Sequence, residues 1–573
     1  IPLYDILFHT TILTFPVSIL YRRCRNFKRE FFNSRTIHGM ILMLKMRRDI
    51  MKVAVVTMHV KQGKCEENVS YMKQMIQKAR EEQADMIVFP QNAVSGYLLG
   101  DQWLDDDWCR YVDSFNEALL AESEDIAIVW GNIRYRNRRR FNAAFFAYRK
   151  QTHMRVKRNT PYTDDARYFE ENPINSAIEF KGHVFALNFG REVQLTDINI
   201  NLDAAMYELD HTYSLKGNVI YANALGMQNS GKDVVVMAGG SGVRMQKKII
   251  YQAAWFHEGM QIVDLAETRE VESTQPQLLD ALLLGIRDFD AQIFNRAIPW
   301  IVGMSGGLDS SVTAALLVAA LGPKRVYGYN IATRHNSTTT ISNAAAEAKA
   351  LGIAYQEGNM ETLVQASVEL FHKEYGYAVE AMPSLVMENV QARSRGYLLS
   401  GFAGILGGVV VNNGNKVETA LGYCTLYGDS IGALSLIGDL TKVQLFDLSK
   451  ALNAHFGKEV VPLNLLPCVH EHGMDWTMPP SAELKDAQFD PMKWFYHDYL
   501  IEHLGTDLSL RSFMESYADG SIWKQDIARW MKYYHLDDPD TFLKDLEWLL
   551  TTRAKNAFKR LQLPPLLSVH KRT

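Results

Sequence analysis

The residues with the clearest potential for chemistry lie in the segment SGGLDSS, which begins at Ser305. An apolar stretch typical of a buried strand precedes this segment, and VTAALLVAAL, typical of a helix, follows it. The first turn of a helix binds anions because its backbone N–H groups are unpaired and the helix dipole is positive there. Gly306 and Gly307 would let an anion approach the backbone closely. The loop offers three hydroxyl donors, from Ser305, Ser310 and Ser311.

Asp309 places a carboxylate inside this anion-binding loop. A carboxylate repels phosphate unless a cation lies between the two groups, so its position predicts bound Mg²⁺. The loop lacks the pattern GxxxxGK[ST], which excludes a Walker A site. The segment therefore indicates a nucleotide-phosphate site of another type.

The elements around this loop indicate an α/β protein of more than one domain. A Val-rich strand begins at Met51, a helix is predicted over Glu67–Glu82, and further strands are predicted at ADMIVFP and over residues 125–133 and 143–149. HVFALNFG and DVVVMAGG are also typical of strands. An amphipathic helix predicted from Pro276 to Arg296 marks the start of the second domain. We expect domains over residues 51–270 and 271–573.

Residues 1–50 are predicted to be an extension that is not native structure. Their apolar stretch, Ile6 to Tyr21, is interrupted by Pro16 and is shorter than the ~20 residues that a membrane-spanning helix needs. The basic segment RRCRNFKRE follows this stretch, whereas a signal peptide carries its positive charge before the apolar part.

Composition excludes several classes of function. The 573 residues are 47% hydrophobic and 22% charged, which excludes wholesale disorder. The 61 Lys and Arg against 65 Asp and Glu leave a net charge of −4, so no nucleic-acid or membrane partner is expected. Five scattered cysteines without a CxxC pair exclude a disulfide framework and a zinc site. A reducing, cytoplasmic location is therefore expected.

The first domain resembles the nitrilase/amidase superfamily, and more narrowly the glutaminase domain of glutamine-dependent NAD synthetases. The resemblance lies in the segments ADMIVFPQNAVSGYLLGDQW, FNAAFFAYRK and KRNTPYTDDARYF. It implies a four-layer α-β-β-α sandwich with a catalytic Glu–Lys–Cys triad. Lys157 matches the lysine, but Gln91 stands in place of the glutamate and Phe189 in place of the cysteine. We therefore expect a catalytically inactive domain that is retained for packing and assembly.

The second domain resembles the NAD synthetases of the ATP pyrophosphatase superfamily. After SGGLDSS, the resemblance lies in ENVQARSRGYLL, NNGNKVETALGYCTLYGDS, IGDLTKVQLFDL and MPPSAEL. It implies a doubly wound parallel sheet, ATP as co-substrate with Mg²⁺, and deamido-NAD and ammonia as the other substrates. It also implies homo-oligomers assembled through the nitrilase-like domain.

The resemblance assigns roles to individual residues of the second domain. Asp309 and Glu418 would hold Mg²⁺, Lys442 would contact the pyrophosphate, and Asp429 would bind ammonium and assist its deprotonation. Further contacts are implied with ATP for Thr333 and Asn413, and with deamido-NAD for Asn389, Arg393, Glu418 and Lys559. Asn413 stands in place of a threonine and Val417 in place of a serine in the family pattern.

The sequence thus predicts an NAD synthase that amidates deamido-NAD through an acyl-adenylate and releases AMP and pyrophosphate. Because the glutaminase triad is incomplete, glutamine is a doubtful nitrogen source, and ammonia would be free or supplied by a partner amidotransferase. The alternative is a non-catalytic or regulatory nucleotide-binding paralogue of an active synthetase. A third hypothesis keeps the ATP chemistry but changes the acyl substrate or acceptor.

Overall fold

The computed structural model describes residues 51–159, 164–172, 177–333, 337–378, 381–481 and 490–570. The predicted extension over residues 1–50 and part of the MPPSAEL segment lie outside these residues. The described residues within 51–179 and 183–570 form one compact unit. Across the described ranges, none of the helices combines the length and apolar character that crossing a bilayer requires.

Two sheets and a short hairpin contain the strands of the described residues. The strands are β1 (Lys52–His59), β2 (Met86–Val88), β3 (Ala127–Arg136), β4 (Arg139–Tyr148), β5 (Gln151–Val156), β6 (Ile178–Phe180), β7 (His183–Phe189), β8 (Ile198–Asp203), β9 (Val219–Asn229), β10 (Asp233–Ala238), β11 (Gly242–Met245), β12 (Lys248–Gln252), β13 (Gly259–Asp264), β14 (Trp300–Gly303), β15 (Val326–Ala332), β16 (Ala354–Asn359), β17 (Val409–Val410), β18 (Cys468–His470), β19 (Gly473–Asp475) and β20 (Leu566–Ser568).

The α-helices lie outside these sheets. They are α1 (Cys65–Glu81), α2 (Asp106–Leu120), α3 (Asp164–Tyr168), α4 (Leu278–Phe294), α5 (Leu308–Leu321), α6 (Thr338–Leu351), α7 (Glu361–Tyr375), α8 (Ser384–Leu406), α9 (Lys416–Leu421), α10 (Lys442–Phe456), α11 (Tyr496–His503), α12 (Leu510–Ala518), α13 (Ile527–Tyr533), α14 (Pro539–Lys555) and α15 (Ala557–Arg560).

The first half is built on a mixed sheet whose central strands are parallel. β3, β2, β1, β9, β8 and β7 follow one another in that order and run parallel. β1 and β9 pair only at Met58–Ala224 and His59–Leu225. This short junction joins a first strand group, β1 to β3, to a second strand group, β7 to β9. The Val-rich sequence of β1 explains its central place, because a strand covered on both faces is almost continuously apolar.

Helices cover the two strand groups differently. The predicted helix after β1 is confirmed as α1, which buries Val69, Met72 and Ile76 in one core with the first strand group. Among the described residues from His183 to Asp264, no α-helix covers the second group. Instead α4 packs Leu282 and Ile286 into one core with Val236 of β10. The first helix of the second half therefore completes the layering of the first half.

The second half contains a parallel sheet with the order β16-β15-β14-β17. Chain order runs outward from β14 through β15 to β16 and then returns to the other side of β14 at β17. The crevice at the carboxyl ends of β14 and β17 is therefore the switch point where ligands bind in doubly wound folds. The α/β class expected for both halves is confirmed.

The C-terminal strand β20 joins the two halves. It runs parallel to β10 of the first half, with Leu567 opposite Val234. Leu567 is completely buried in the core that also contains Trp300 of β14 and Leu283 of α4. A strand of only three residues is thus held by packing on both sides.

We expect Leu567→Ala to lower the stability of the protein by about 2–5 kcal/mol, because it leaves a cavity in this shared core. Leu561→Ala removes an exposed leucine and is the matched control, with an expected change of less than about 0.5 kcal/mol. Urea unfolding of both variants measures the difference. Equal stabilities would contradict the position of β20.

Candidate active site

The segment SGGLDSS forms the predicted anion-binding loop between β14 and α5. Gly306 has a φ of +80°, and a Cβ atom there would overlap the carbonyl oxygen of Thr340 in α6. Gly307 is the N-cap of α5 and supplies no side chain to the first-turn N–H groups. These N–H groups have no partners within the helix. The loop therefore presents backbone donors at the switch point of the sheet.

A buried ion pair lies beside the loop. The Nζ atom of Lys442, the first residue of α10, is 2.7 Å from Oδ2 of Asp309. Only 3% of Lys442 is exposed, and its ammonium group lies 5.3 Å from the centre of the Trp494 ring. Burial disfavours the charge, but Asp309, Glu418 and Asp490 outweigh it and raise the pKa of Lys442. Lys442 is therefore held as a cation among carboxylates.

Glu418 is positioned by the N-terminus of α9. The side chain of Asn415 accepts hydrogen bonds from the backbone N–H groups of Val417 and Glu418. Glu418 accepts one in return from the N–H of Asn415, which completes a capping box. Burial, followed by the charge of Asp309, raises the pKa of Glu418 well above its ordinary value. An added cation would relieve this repulsion.

Asn413 links this segment to the loop. Its Nδ2 atom donates to the carbonyl oxygen of Gly303 at 2.9 Å, directly after β14. Its Oδ1 atom is buried without a partner among the described residues. The neighbouring Asn415 donates to Oδ1 of Asp309 at 3.5 Å. The structure therefore brings Asp309, Asn413, Glu418 and Lys442 together.

The two carboxylates beside the loop are of the ligand type that Mg²⁺ prefers. Two carboxylates, Asp309 and Glu418, are close enough to repel each other. Mg²⁺ is commonly held by one or two carboxylates together with substrate phosphates and water. Within the ranges that the structure describes, no group of three or more His, Cys, Asp or Glu side chains is arranged to hold a metal.

The other predicted hydroxyl donors differ in their surroundings. Ser310 lies 3.1 Å from the hydroxyl of Ser305 and donates to the carbonyl oxygen of Gly307, so both serines belong to the loop. Ser311 donates to Oε2 of Glu347 at 2.7 Å and is completely buried. Thr333 follows β15 at the same edge of the sheet and is buried.

A second group of predicted residues surrounds Asp429. The backbone N–H of Thr425 donates to Oδ1 of Asp429 at 2.6 Å, and its hydroxyl donates to Asn389 at 2.9 Å. Arg393 donates to the carbonyl oxygen of Leu426 at 3.2 Å. The Asp429 residue is exposed to solvent. The atoms packed around its carboxylate still remove part of the hydration, and this desolvation raises the pKa of Asp429 to about 6.

Lys559 contacts the same segment from the C-terminal helices. Its Nζ atom donates to the carbonyl oxygens of Gly422 at 3.0 Å and Cys424 at 2.6 Å. Burial raises the pKa of the Cys424 thiol to about 12, so this cysteine is a packed thiol and not a nucleophile. The positive charge of Lys559 also acts on Asp429, where it opposes the rise in pKa that desolvation causes.

Three participants in this region were missed in the sequence. Asn415 could have been found from the spacing N-x-x-E, which is typical of a capping box. Glu347 and Asp490 carry no local signal, because each reaches the site through tertiary contacts.

The corresponding pocket of the first half has a different chemistry. Gln91 follows β2, is 2% exposed, and its Nε2 atom has no partner among the described residues. Lys157 is paired with Asp165 at 2.7 Å and lies 4.9 Å from the Tyr97 ring centre. Phe189 ends β7 and is 3% exposed. Gln91 and Phe189, which the sequence aligned with the base and the thiol of the triad, are thus both buried side chains.

One carboxylate of this pocket was not predicted. Asp203 ends β8 and accepts a hydrogen bond from the hydroxyl of Tyr221 at 2.9 Å. Burial raises the pKa of Asp203, although Tyr221 and Lys157 act against this shift. The thiols of Cys65 and Cys109 belong to α1 and α2, where burial raises the pKa of both.

Comparisons with known proteins agree with this architecture. Residues 52–239 match the carbon-nitrogen hydrolase family model, and residues 293–504 match the NAD synthase family model. A glutamine-dependent NAD(+) synthetase of Acinetobacter baylyi is 26% identical over 478 residues, which are 77% of this chain and 84% of the relative. One of Synechocystis sp. is 33% identical over 366 residues, 59% of this chain and 58% of the relative.

Solved structures share the fold. The glutamine-dependent NAD+ synthetase from Acinetobacter baumannii in complex with ADP has a TM-score of 0.64 at 24% identity, covering 91% of this chain and 96% of that one. The glutamine-dependent NAD(+) synthetase from Cytophaga hutchinsonii has a TM-score of 0.72 at 14% identity, covering 91% and 95%.

The chain therefore combines a carbon-nitrogen hydrolase domain with an NAD synthase domain, and it is a ligase that forms C–N bonds. Both halves resemble the glutamine-dependent NAD(+) synthetases, which confirms the resemblance found in the sequence.

We expect Gly306→Ala to lower stability by about 1–3 kcal/mol, because alanine disfavours this φ and its Cβ would overlap Thr340. Gly307→Ala is the control, because φ is −92° there and the added Cβ lies 3.4 Å from the Ser305 hydroxyl. Its expected change is below about 1 kcal/mol. Urea unfolding measures both, and an equal loss in the two variants would contradict the close approach of the loop to α6.

Proposed function

We propose that this chain makes NAD from deamido-NAD, Mg·ATP and ammonia, and that its first half does not hydrolyse glutamine. The observation that carries the first part is the convergence of Asp309, Asn413 and Lys442 on the loop at the sheet switch point. The observation that carries the second part is the pair Gln91 and Phe189 at the two reactive positions of the triad. ATP is the co-substrate of NAD synthetases, so the loop is the proposed nucleotide site.

The proposed reaction has two steps. A carboxylate oxygen of deamido-NAD attacks the α-phosphorus of ATP, and pyrophosphate leaves, because the carboxylate itself is a poor electrophile. Ammonia then attacks the acyl carbon of the resulting adenylate, loses a proton, and AMP departs as the amide forms. Charge builds on the leaving pyrophosphate in the first step and on the acyl oxygen in the second.

The proposed ATP site is electrostatically prepared for the first step. The ammonium group of Lys442 is preformed and largely excluded from water, so it would stabilise the departing pyrophosphate without reorganisation. The N–H groups at the start of α5 would bind the phosphates. Asp309 and Glu418 would hold Mg²⁺, which would neutralise phosphate charge when bound. Asn413 would hold its own segment against the end of β14 through the hydrogen bond to Gly303.

Asp429 is the proposed ammonium site for the second step. Only neutral ammonia is nucleophilic, whereas ammonium predominates at neutral pH, so a base must remove a proton. With a pKa of about 6, Asp429 is ionised at pH 7 and is a better proton acceptor than an ordinary aspartate. Asn389, Arg393, Glu418 and Lys559 are proposed to contact the dinucleotide around it.

The first half is proposed to serve packing and assembly. A carboxamide such as Gln91 cannot take a proton from a thiol, and Phe189 offers no nucleophile, so no thioester can form. Ammonia would come from solution or from a partner amidotransferase. We also propose a homo-oligomer formed through this half, and a cytoplasmic location, because the described cysteines are unpaired.

With the purified chain, deamido-NAD and Mg·ATP, we expect NAD formation with ammonium chloride and none above background with glutamine. The measurement is NAD and AMP release with each nitrogen source. Equal rates with glutamine would contradict the inactive first half. No product with either source would contradict the synthetase and favour a regulatory paralogue.

We expect Asp429→Asn to lower kcat/KM for ammonium about 10²–10⁴-fold while the KM for ATP changes less than about twofold. The wild-type base is lost by protonation as the pH falls through about 6, so the rate ratio of wild type to variant should shrink there. Steady-state rates between pH 5 and 8 measure this ratio. Asp447→Asn on the exposed face of α10 is the control, and a pH-independent ratio would contradict the role of Asp429.

A further inference from the structure

Glu347 is a carboxylic acid in the apolar interior of the second half, and it reaches the proposed site through Ser311. It lies on α6, is 2% exposed, and its neighbours Ala344 and Ala348 are fully buried. Its Oε2 atom accepts the hydrogen bond from the Ser311 hydroxyl at 2.7 Å. Its Oε1 atom has no partner among the described residues. Burial raises the pKa of Glu347 to about 8, so the group is mostly neutral at pH 7.

Such a group opposes folding. Burial of a polar atom without a partner costs free energy, whereas an apolar side chain of similar volume would gain it. Packing alone therefore does not account for a carboxylic acid at this position. The bond to Ser311 is the contact that distinguishes Glu347 from a leucine.

That bond joins α6 to the first turns of α5, which carry the anion-binding loop. Thr340 and Glu347 are seven residues apart, so they share one face of α6. Thr340 limits the loop sterically, because its carbonyl oxygen leaves no space for a Cβ at Gly306. Glu347 holds Ser311 by a hydrogen bond two helical turns further along. One face of α6 thus contacts the start of α5 at two points.

We propose that Glu347 is a positioning residue for the ATP site, acting through its hydrogen bond to Ser311. The bond fixes how the first turns of α5 are rotated about the helix axis and how closely they pack against α6. It thereby sets the direction of the N–H groups of the loop and of the Asp309 carboxylate. The proposal rests on the function proposed above for this loop, and it assigns Ser311 to the support of the site and not to contact with phosphate.

The test compares three variants that treat the bond differently. Glu347→Leu and Ser311→Ala remove it, and Glu347→Gln keeps an oxygen acceptor of the same size. Thr313→Val is the matched control, because Thr313 lies on the same helix with a buried hydroxyl that has no partner among the described residues. The measurements are the dissociation constant of Mg·ATP by calorimetry, the KM values for ATP and ammonium, and the thermal unfolding midpoint.

We expect Glu347→Leu and Ser311→Ala each to weaken Mg·ATP binding about fivefold, the effect of one lost hydrogen bond. The double variant should lose no more than either single variant, and the KM for ammonium should not change. Glu347→Gln and Thr313→Val should bind Mg·ATP within about twofold of the wild type. Glu347→Leu should unfold at the same or a higher temperature, so ATP binding weakens without a loss of stability.

Two results would overturn the role of Glu347 alone. One is wild-type affinity for Mg·ATP in Glu347→Leu, and the other is an equal loss of affinity in all four single variants, which would indicate general packing. A wild-type protein that does not bind Mg·ATP would overturn the proposed ATP site together with this role. The two failures are therefore distinguishable in one set of titrations.

Discussion

The synthetase half is organised around one buried ammonium group, that of Lys442. Asp309 pairs with it directly, and the carboxyl groups of Glu418 and Asp490 act with Asp309 to raise its pKa. These groups come from segments that are far apart in the chain. Removing one partner of a buried pair leaves an uncompensated charge at a cost of about 3–5 kcal/mol, so each segment is held by the others. The proposed phosphate site is therefore charged and formed by the protein alone.

The charged groups of the first half that the structure describes are paired differently. The positive charge of Lys157 is paired with the Asp165 carboxylate, and Asp203 accepts the hydrogen bond of the Tyr221 hydroxyl. A glutaminase needs a thiolate and a base at the same point, and the proposed alignment places Phe189 and Gln91 at those positions. Lys157 contacts the Asp165 carboxylate and the Tyr97 ring, so these three side chains hold one another in place.

The sequence predicted the glycine loop and the elements on either side of it because they are neighbours in the chain. The strand β14, the glycine loop and α5 are contiguous, so their pattern is visible in one stretch of sequence. The bonds Ser311–Glu347 and Asn415–Asp309 join residues 36 and 106 positions apart, and no local pattern specifies such pairs. The same limit applies to β20, whose three residues form a strand only because β10 lies beside them.

A continuous series of hydrogen bonds runs from the sheet of the first half to Asp429 in the second half. β10 pairs with β20, and the backbone of Ser435 continues this ladder through hydrogen bonds with Pro565 and Leu567. Asn412 lies next to Ser435, and its Nδ2 atom donates to the carbonyl oxygen of Asp429 at 2.9 Å. The sheet of the first half thus forms one edge of the frame that holds the proposed ammonium site. Because this edge is formed by backbone hydrogen bonds, it does not depend on which side chains occupy the pocket of the first half.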